Sequence, residues 1–95
     1  MAELKPSDIV QSLAGHDRGS LFYVLRVEDG GVLVADGRLR KCLKPKRKNA
    51  KHLAFVSEGK TPVAARIRRG ESVADSEVRK SLPAEGGIRT AKGGN

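Results

Sequence analysis

Leu21 to Val27 reads Leu-Phe-Tyr-Val-Leu-Arg-Val, and Asp29-Gly30-Gly31 follows one residue later. A seven-residue run rich in β-branched and aromatic types favours a central strand over a helix. Asp-Gly-Gly is hairpin chemistry, because tight two-residue turns need positive φ and glycine adopts it with least strain. Val32-Leu33-Val34-Ala35 then returns as the partner strand. A chain built on this hairpin is mostly β.

The flanking segments extend the pattern. Asp8 to Leu13 alternates in part, with Ile9 and Leu13 against Gln11 and Ser12, as a half-buried strand does. Ala14 to Ser20 is a polar loop with Gly15 and Gly19, spaced to supply positive φ or close backbone approach. Asp36-Gly37 is a second tight turn. Leu39 to Leu43 forms a fourth strand, at an edge, with Leu39, Lys41 and Leu43 on one face and Arg40 and Cys42 on the other. Pro45 ends it, since proline cannot donate to a ladder, and Lys44 to Lys51 reads as a basic loop. His52 to Val56 is a short closing strand. So many short strands suggest a small, strongly bent β-barrel over residues 5–57, closure being one way for such a sheet to avoid open edges.

Beyond the barrel, 58–70 reads as a basic linker and 71–83 as a short helix. Ser72 and Asp75 resemble a capping box. Ala74, Val78 and Leu82 recur at intervals of four, and early acids with late bases complement the helix dipole. Pro83 stops the helix, which at this length needs a surface to pack on. Residues 84–95 contain four glycines and no apolar pattern, and read as a disordered tail.

Charge narrows the function. The 95 residues carry a formal charge of +8 with 38% hydrophobic residues. That excess calls for an anionic partner, of which nucleic acid is the commonest. Eight of the nineteen Lys and Arg residues fall between Gly37 and Leu53, where no acidic residue interrupts them. No apolar run approaches a membrane span, and Met1-Ala2-Glu3-Leu4-Lys5-Pro6 has no signal-peptide character, so a soluble cytoplasmic protein is expected. Cys42 is the only cysteine, which excludes an internal disulfide. One Cys and two distant His cannot make a Cys/His zinc site, and no cofactor or metal is expected. Basic neighbours would lower the Cys42 pKa, but no general base stands at a recognisable spacing. The chain does not read as an enzyme.

The frame Asp8-Ile9-Val10, Ala14-Gly15-x-x-x-Gly19 and the apolar run to Val27 resembles a KOW motif. Val32-Leu33-Val34-x-x-Gly37, the basic stretch and Lys48-Asn49-x-Lys51-His52-Leu53 extend the likeness. Together these residues are similar to KOW-containing large-subunit ribosomal proteins of the "L fourteen e" kind and their small bacterial relatives, over roughly residues 5–56. The resemblance implies an SH3-like barrel that binds RNA, usually ribosomal, without catalytic activity. KOW domains of NusG-type elongation factors also contact proteins and RNA polymerase.

The candidate phosphate ligands are Arg38, Arg40, Lys41, Lys44, Lys46, Arg47, Lys48 and Lys51. Lys supplies a mobile point charge, and Arg offers two parallel donors. His16 and Arg18 join them from the glycine loop, where backbone N–H groups exposed by Gly15 and Gly19 can approach a phosphate, and Asn49 and His52 from the basic run. Solvation or a localisation signal would explain the same run without RNA. Phe22 and Tyr23 are consecutive, so one is expected in the core and the other could stack on an unpaired base. Three aromatics supply no stacking platform, however, and recognition by shape and phosphate with little sequence readout is expected. The expected partner is structured, ribosomal RNA, bound by a monomer associated with the ribosome. The competing reading is a transcription-machinery module of the NusG KOW type, with the terminal helix docking on a protein partner.

Overall fold

The computed structural model describes residues 3–82. The hairpin expected at its centre is there. Strands β2 (Leu21–Glu28) and β3 (Gly31–Ala35) pair antiparallel, with Glu28 opposite Gly31 and Gly30 at φ 82 in the turn. Strand β1 (Asp8–Ser12) flanks β2, placing Ile9 opposite Tyr23 and Val10 opposite Phe22. Two further strands complete the sheet: β4 (Lys46–Lys48) on β3 and β5 (Leu53–Glu58) on β1. The order is β4-β3-β2-β1-β5.

Successive side chains on a strand point to opposite faces, and this sheet has a core on each. Tyr23 and Ile9 face the helices and pack with Ala64, Ile67, Val78 and Leu82. Phe22 lies on the other face with Val10, Val24, Val32, Val34 and Leu53, and Leu4 packs against that cluster. The expectation of one stacking aromatic here is corrected: Phe22 and Tyr23 are both buried.

The expected closed barrel is also corrected. Val32 and Val34 of β3 share one cluster with Leu53 of β5, three strands away, so the sheet curls. Ladder irregularities at Ile9/Val10 and Val24/Arg26 assist the bend. Curling stops short of closure, because β4 and β5 remain the two edges of an open five-stranded sheet. Strand β4 is only three residues long, all basic, and reaches β5 through a single 3₁₀ turn (Ala50–His52). So short an edge offers few ladder groups, and its like charges oppose pairing.

Leu39–Leu43 is not a strand, because its backbone groups bond elsewhere. Asp36 Oδ1 accepts from the N–H groups of Arg38 (2.8 Å) and Arg40 (3.0 Å). The Arg40 carbonyl accepts from Asp36 and Gly37, and the Cys42 N–H donates to Asp75 Oδ1 at 2.7 Å. The basic run expected as a loop instead holds β4 and the 3₁₀ turn.

The segment read as a linker contains helix α1 (Pro62–Arg68). Thr61 caps it by accepting from the Ala64 N–H at 3.1 Å, and Pro62 occupies the first turn. Gly70, at φ 80, donates to the Ile67 carbonyl while Glu71 donates to that of Arg66, a Schellman ending. Residues 75–82 form a second helix, α2. Its cap differs from the expected one: Glu77 reaches back to the Ala74 N–H at 3.0 Å, leaving Asp75 to hold Cys42. Val78 and Leu82 are buried on the sheet, so these two of the three apolar positions proposed for a partner face this protein's own core, while Ala74 is exposed ahead of the helix. Tyr23 Oη bonds both Thr61 Oγ1 (3.1 Å) and Ser81 Oγ, tying β2 to both helices. Residue 83 and the tail over 84–95 lie outside the described residues.

Candidate functional site

The acidic residues decide which cations are free. Glu28 takes both Arg26 and Arg47, Asp17 takes Lys48, and Glu58 and Asp8 take Lys5. Glu71 and Glu77 take Arg66, and Glu71 also takes Arg69. Asp36 and Asp75 serve backbone N–H groups. Arg68 donates to Ser7 Oγ, and Arg79 donates to the Gly37 carbonyl. Among the described residues, the side chains of Arg18, Arg38, Arg40, Lys41, Lys44, Lys46 and Lys51 have no ion-pair or hydrogen-bond partner. All but Arg18 lie in one unbroken segment, 38–51.

Two of the expected phosphate ligands have structural work. Lys48 Nζ donates to Asp17 Oδ1 (2.8 Å), Ser12 Oγ (2.9 Å) and the Ala14 carbonyl (3.1 Å). It thereby ties β4 to the glycine loop. Burial pushes the Asp17 carboxyl up, but hydrogen bonds from Lys48 and Ser12 and the Lys48 charge outweigh it, so it ionises below its ordinary range. Arg47 donates to Glu28 Oε1 and to the Asp29 carbonyl, both at 2.8 Å, bracing the hairpin. Gly31 makes room for it, since a Cβ there would meet Arg47 Nε at 2.8 Å.

The glycine loop presents side chains more than backbone. Gly15 and Gly19 take φ 88 and 91, so their turning role is plain. The N–H groups of Arg18, Gly19 and Ser20 bond within the loop and β1, to Gly15, Ser12 and Asp17 carbonyls. Those donors are therefore already taken and cannot serve a phosphate, while the His16 and Arg18 side chains are exposed. Asn49 caps the 3₁₀ turn through its own Oδ1, accepting from the Lys51 N–H at 3.0 Å, and Lys51 and His52 project from that turn into solvent. The Leu13 N–H donates to the His52 carbonyl, which seats the turn beside the start of the glycine loop.

A second group of cations sits on the 36–44 loop, packed against α2. Gly37, at φ 77, lies so close that a Cβ would meet the Asp75 carbonyl and the Arg79 nitrogen. Lys44 donates its N–H to the Lys41 carbonyl across a tight turn whose tip is Leu43. Leu39 and Leu43 are 83% and 93% exposed, an arrangement hidden from a reading that made this segment a strand. Cys42 is half-buried beneath them. Burial, a hydrogen bond with Asp75 and the charges of Asp75 and Asp36 push its thiol up to about 12, opposite to the shift expected from its basic neighbours. At neutral pH it is a thiol, not a nucleophilic thiolate.

No group of His, Cys, Asp and Glu suited to a metal occurs among the described residues. Among them, too, no helix is long and apolar enough to cross a membrane. No family model and no curated protein matches this chain.

Proposed function

We propose that this protein binds structured RNA through phosphate contacts, as a ribosome-associated protein of the cytoplasm. One observation carries the reading: in segment 38–51 the acids of the described residues take the side chains of Arg47 and Lys48 and a few backbone N–H groups, and none forms an ion pair with Arg38, Arg40, Lys41, Lys44, Lys46 or Lys51. Uncompensated charge of this density favours a polyanion. The choice of RNA rests on the likeness of the Gly15–Gly19 frame and the Lys48–Leu53 ending to KOW ribosomal proteins. The ligands are then Arg18, Arg38, Arg40, Lys41, Lys44, Lys46 and Lys51, with His16 and His52 beside them. Such contacts position a backbone and read little sequence.

Filter binding of ribosomal RNA fragments over a salt series tests it. With about five phosphates neutralised, log K should fall against log salt at a slope between about −3.5 and −4.5. Cosedimentation with large ribosomal subunits at moderate salt is the second expected result. Undetectable binding to any structured RNA near 100 mM salt overturns the proposal.

Leu39 and Leu43 favour a second reading, a protein partner in the transcription machinery. Leu43 borders a cleft of about 360 Å³ lined also by Leu25, Leu33, Cys42 and Ile67. An exposed leucine beside a cleft, with a second exposed leucine on the same loop, suits a protein contact. Copurification with RNA polymerase that disappears in Leu39→Ser/Leu43→Ser, without RNA binding, would select it.

A further inference from the structure

The open seam of the sheet leaves one aromatic residue half outside. The chain has three aromatics, and Phe22 and Tyr23 are sealed in the two cores. Phe55, on edge strand β5, is 49% exposed. It pairs with Val10, whose other neighbour is Phe22, so its side chain lies on the concave face that holds the Phe22 cluster. Closure of β4 onto β5 would be expected to cover that position.

The opposite edge presents a cation to the same face. Lys46 pairs with Val34 and Lys48 with Val32, both members of the Phe22 cluster, whereas Arg47 between them points the other way. Lys48 is bound to Asp17. Lys46 has no ion-pair partner among the described residues. The concave face therefore carries a half-exposed ring at one edge and an unneutralised ammonium at the other, with Lys51 on the turn that joins the two edges.

We propose that this seam receives one unpaired nucleotide of the RNA, its base stacked on Phe55 and its phosphate on Lys46. The inference rests on the RNA-binding reading and adds what that reading lacks, a preference for RNA with an unpaired base. The charge of Lys46 selects an anionic occupant, and the ring gives that occupant a flat apolar surface to cover. Every base has such a surface, so stacking here is tolerant of sequence. Duplex RNA keeps its bases in the stack and meets only the outer cations.

The test uses the full chain with two RNAs of equal length, a hairpin with an unpaired loop and a blunt duplex. Ultraviolet crosslinking and peptide mapping should place a loop base on the peptide containing Phe55. Phe55→Leu should weaken hairpin binding about tenfold and leave duplex binding unchanged, while Phe55→Tyr, which keeps a ring, should bind like the wild type. Should Phe55→Leu fold poorly, the wild-type crosslink map decides alone. Equal hairpin affinity in Phe55→Leu, or crosslinks confined to 38–44, overturns the seam while the RNA-binding reading stands. Loss of all RNA binding in the wild type removes both. Self-association of the wild type that Phe55→Leu abolishes, with RNA affinity untouched, assigns the face to a second copy and also overturns the proposal.

Discussion

Lys48 Nζ sits 2.8 Å from Asp17 Oδ1, and the two side chains are only 8% and 11% exposed. A basic residue in the most cationic part of the chain thus serves the fold. The contact fastens edge strand β4 to the glycine loop, and so links the two segments that display the free cations.

Lys48→Met should therefore be among the most damaging single changes in the basic segment. It leaves the Asp17 charge nearly buried and unpaired, a loss of about 3–5 kcal/mol for a well-formed buried pair. Adding Asp17→Asn removes that stranded charge and should recover part of the loss. Urea unfolding of the single and double variants measures both steps, and additive losses would show that the two side chains do not depend on each other.

The same pair predicts part of the acid response. The Asp17 carboxyl is lowered in the fold from an ordinary value of 3.8. Its stabilising effect is thus complete above the unfolded value and drains away as pH falls through the lower folded one. Asp17→Asn should be weaker than the wild type at neutral pH, and the gap should narrow as pH falls from the ordinary carboxylate value of 3.8 through the lower folded one. Glu71, Asp75 and Glu77 are lowered too, so both proteins lose stability in acid. A gap that stays constant over this range would count against the pairing.

Free and committed cations should separate in binding experiments. Arg38→Ala/Lys41→Ala/Lys44→Ala removes only side chains without partners, so stability should change little, surface substitutions of this kind costing about 0.5 kcal/mol or less each. RNA affinity should fall, and the salt slope should flatten by about 0.7–0.9 for each phosphate no longer neutralised. A triple change at Lys46, Arg47 and Lys48 would be a poor test, because Arg47 and Lys48 also hold the hairpin and the glycine loop. Thermal melts alongside filter binding distinguish the two sets, and unchanged RNA affinity would place the interface away from the 38–44 loop.

The hairpin and the flanking strands β1 and β5 were legible because alternation and Asp-Gly turns act locally. The edge was not. Leu39 to Leu43 alternates as a strand does, yet Asp36 and Asp75 take its backbone donors, and one of those partners lies 33 residues away. Helix α1 had local signals in Thr61-Pro62 and Gly70, but Arg66, Arg68 and Arg69 made the segment resemble a linker. For the candidate site, composition located the charge but could not show which cations were neutralised. Pairs such as Lys48 with Asp17 form between segments that only the curled sheet brings together. Phe55 carried no signal at all, since its exposure depends on the place of β5 at an edge of the sheet.

Gly37 offers the most direct test of how the cationic 36–44 loop is held. Its φ of 77 costs a Cβ-bearing residue about 1–2 kcal/mol. A Cβ there would also press on the backbone of Asp75 and Arg79, which cannot move without shifting α2. Gly37→Ala should therefore lift the loop from the helix and release Cys42, whose thiol at about 12 is held up by burial and by Asp75. In the wild type at pH 8 only about one thiol in ten thousand is ionised, so iodoacetamide should label it very slowly. Gly37→Ala should label at least about tenfold faster, the equivalent of about 1.4 kcal/mol in loop opening. Gly19→Ala is the control, because it has the same unfavourable φ but nothing within 4 Å of the added Cβ. It should lose stability from its backbone alone and leave Cys42 protected. Equal labelling in both variants would mean that Gly37 does not anchor the loop through α2.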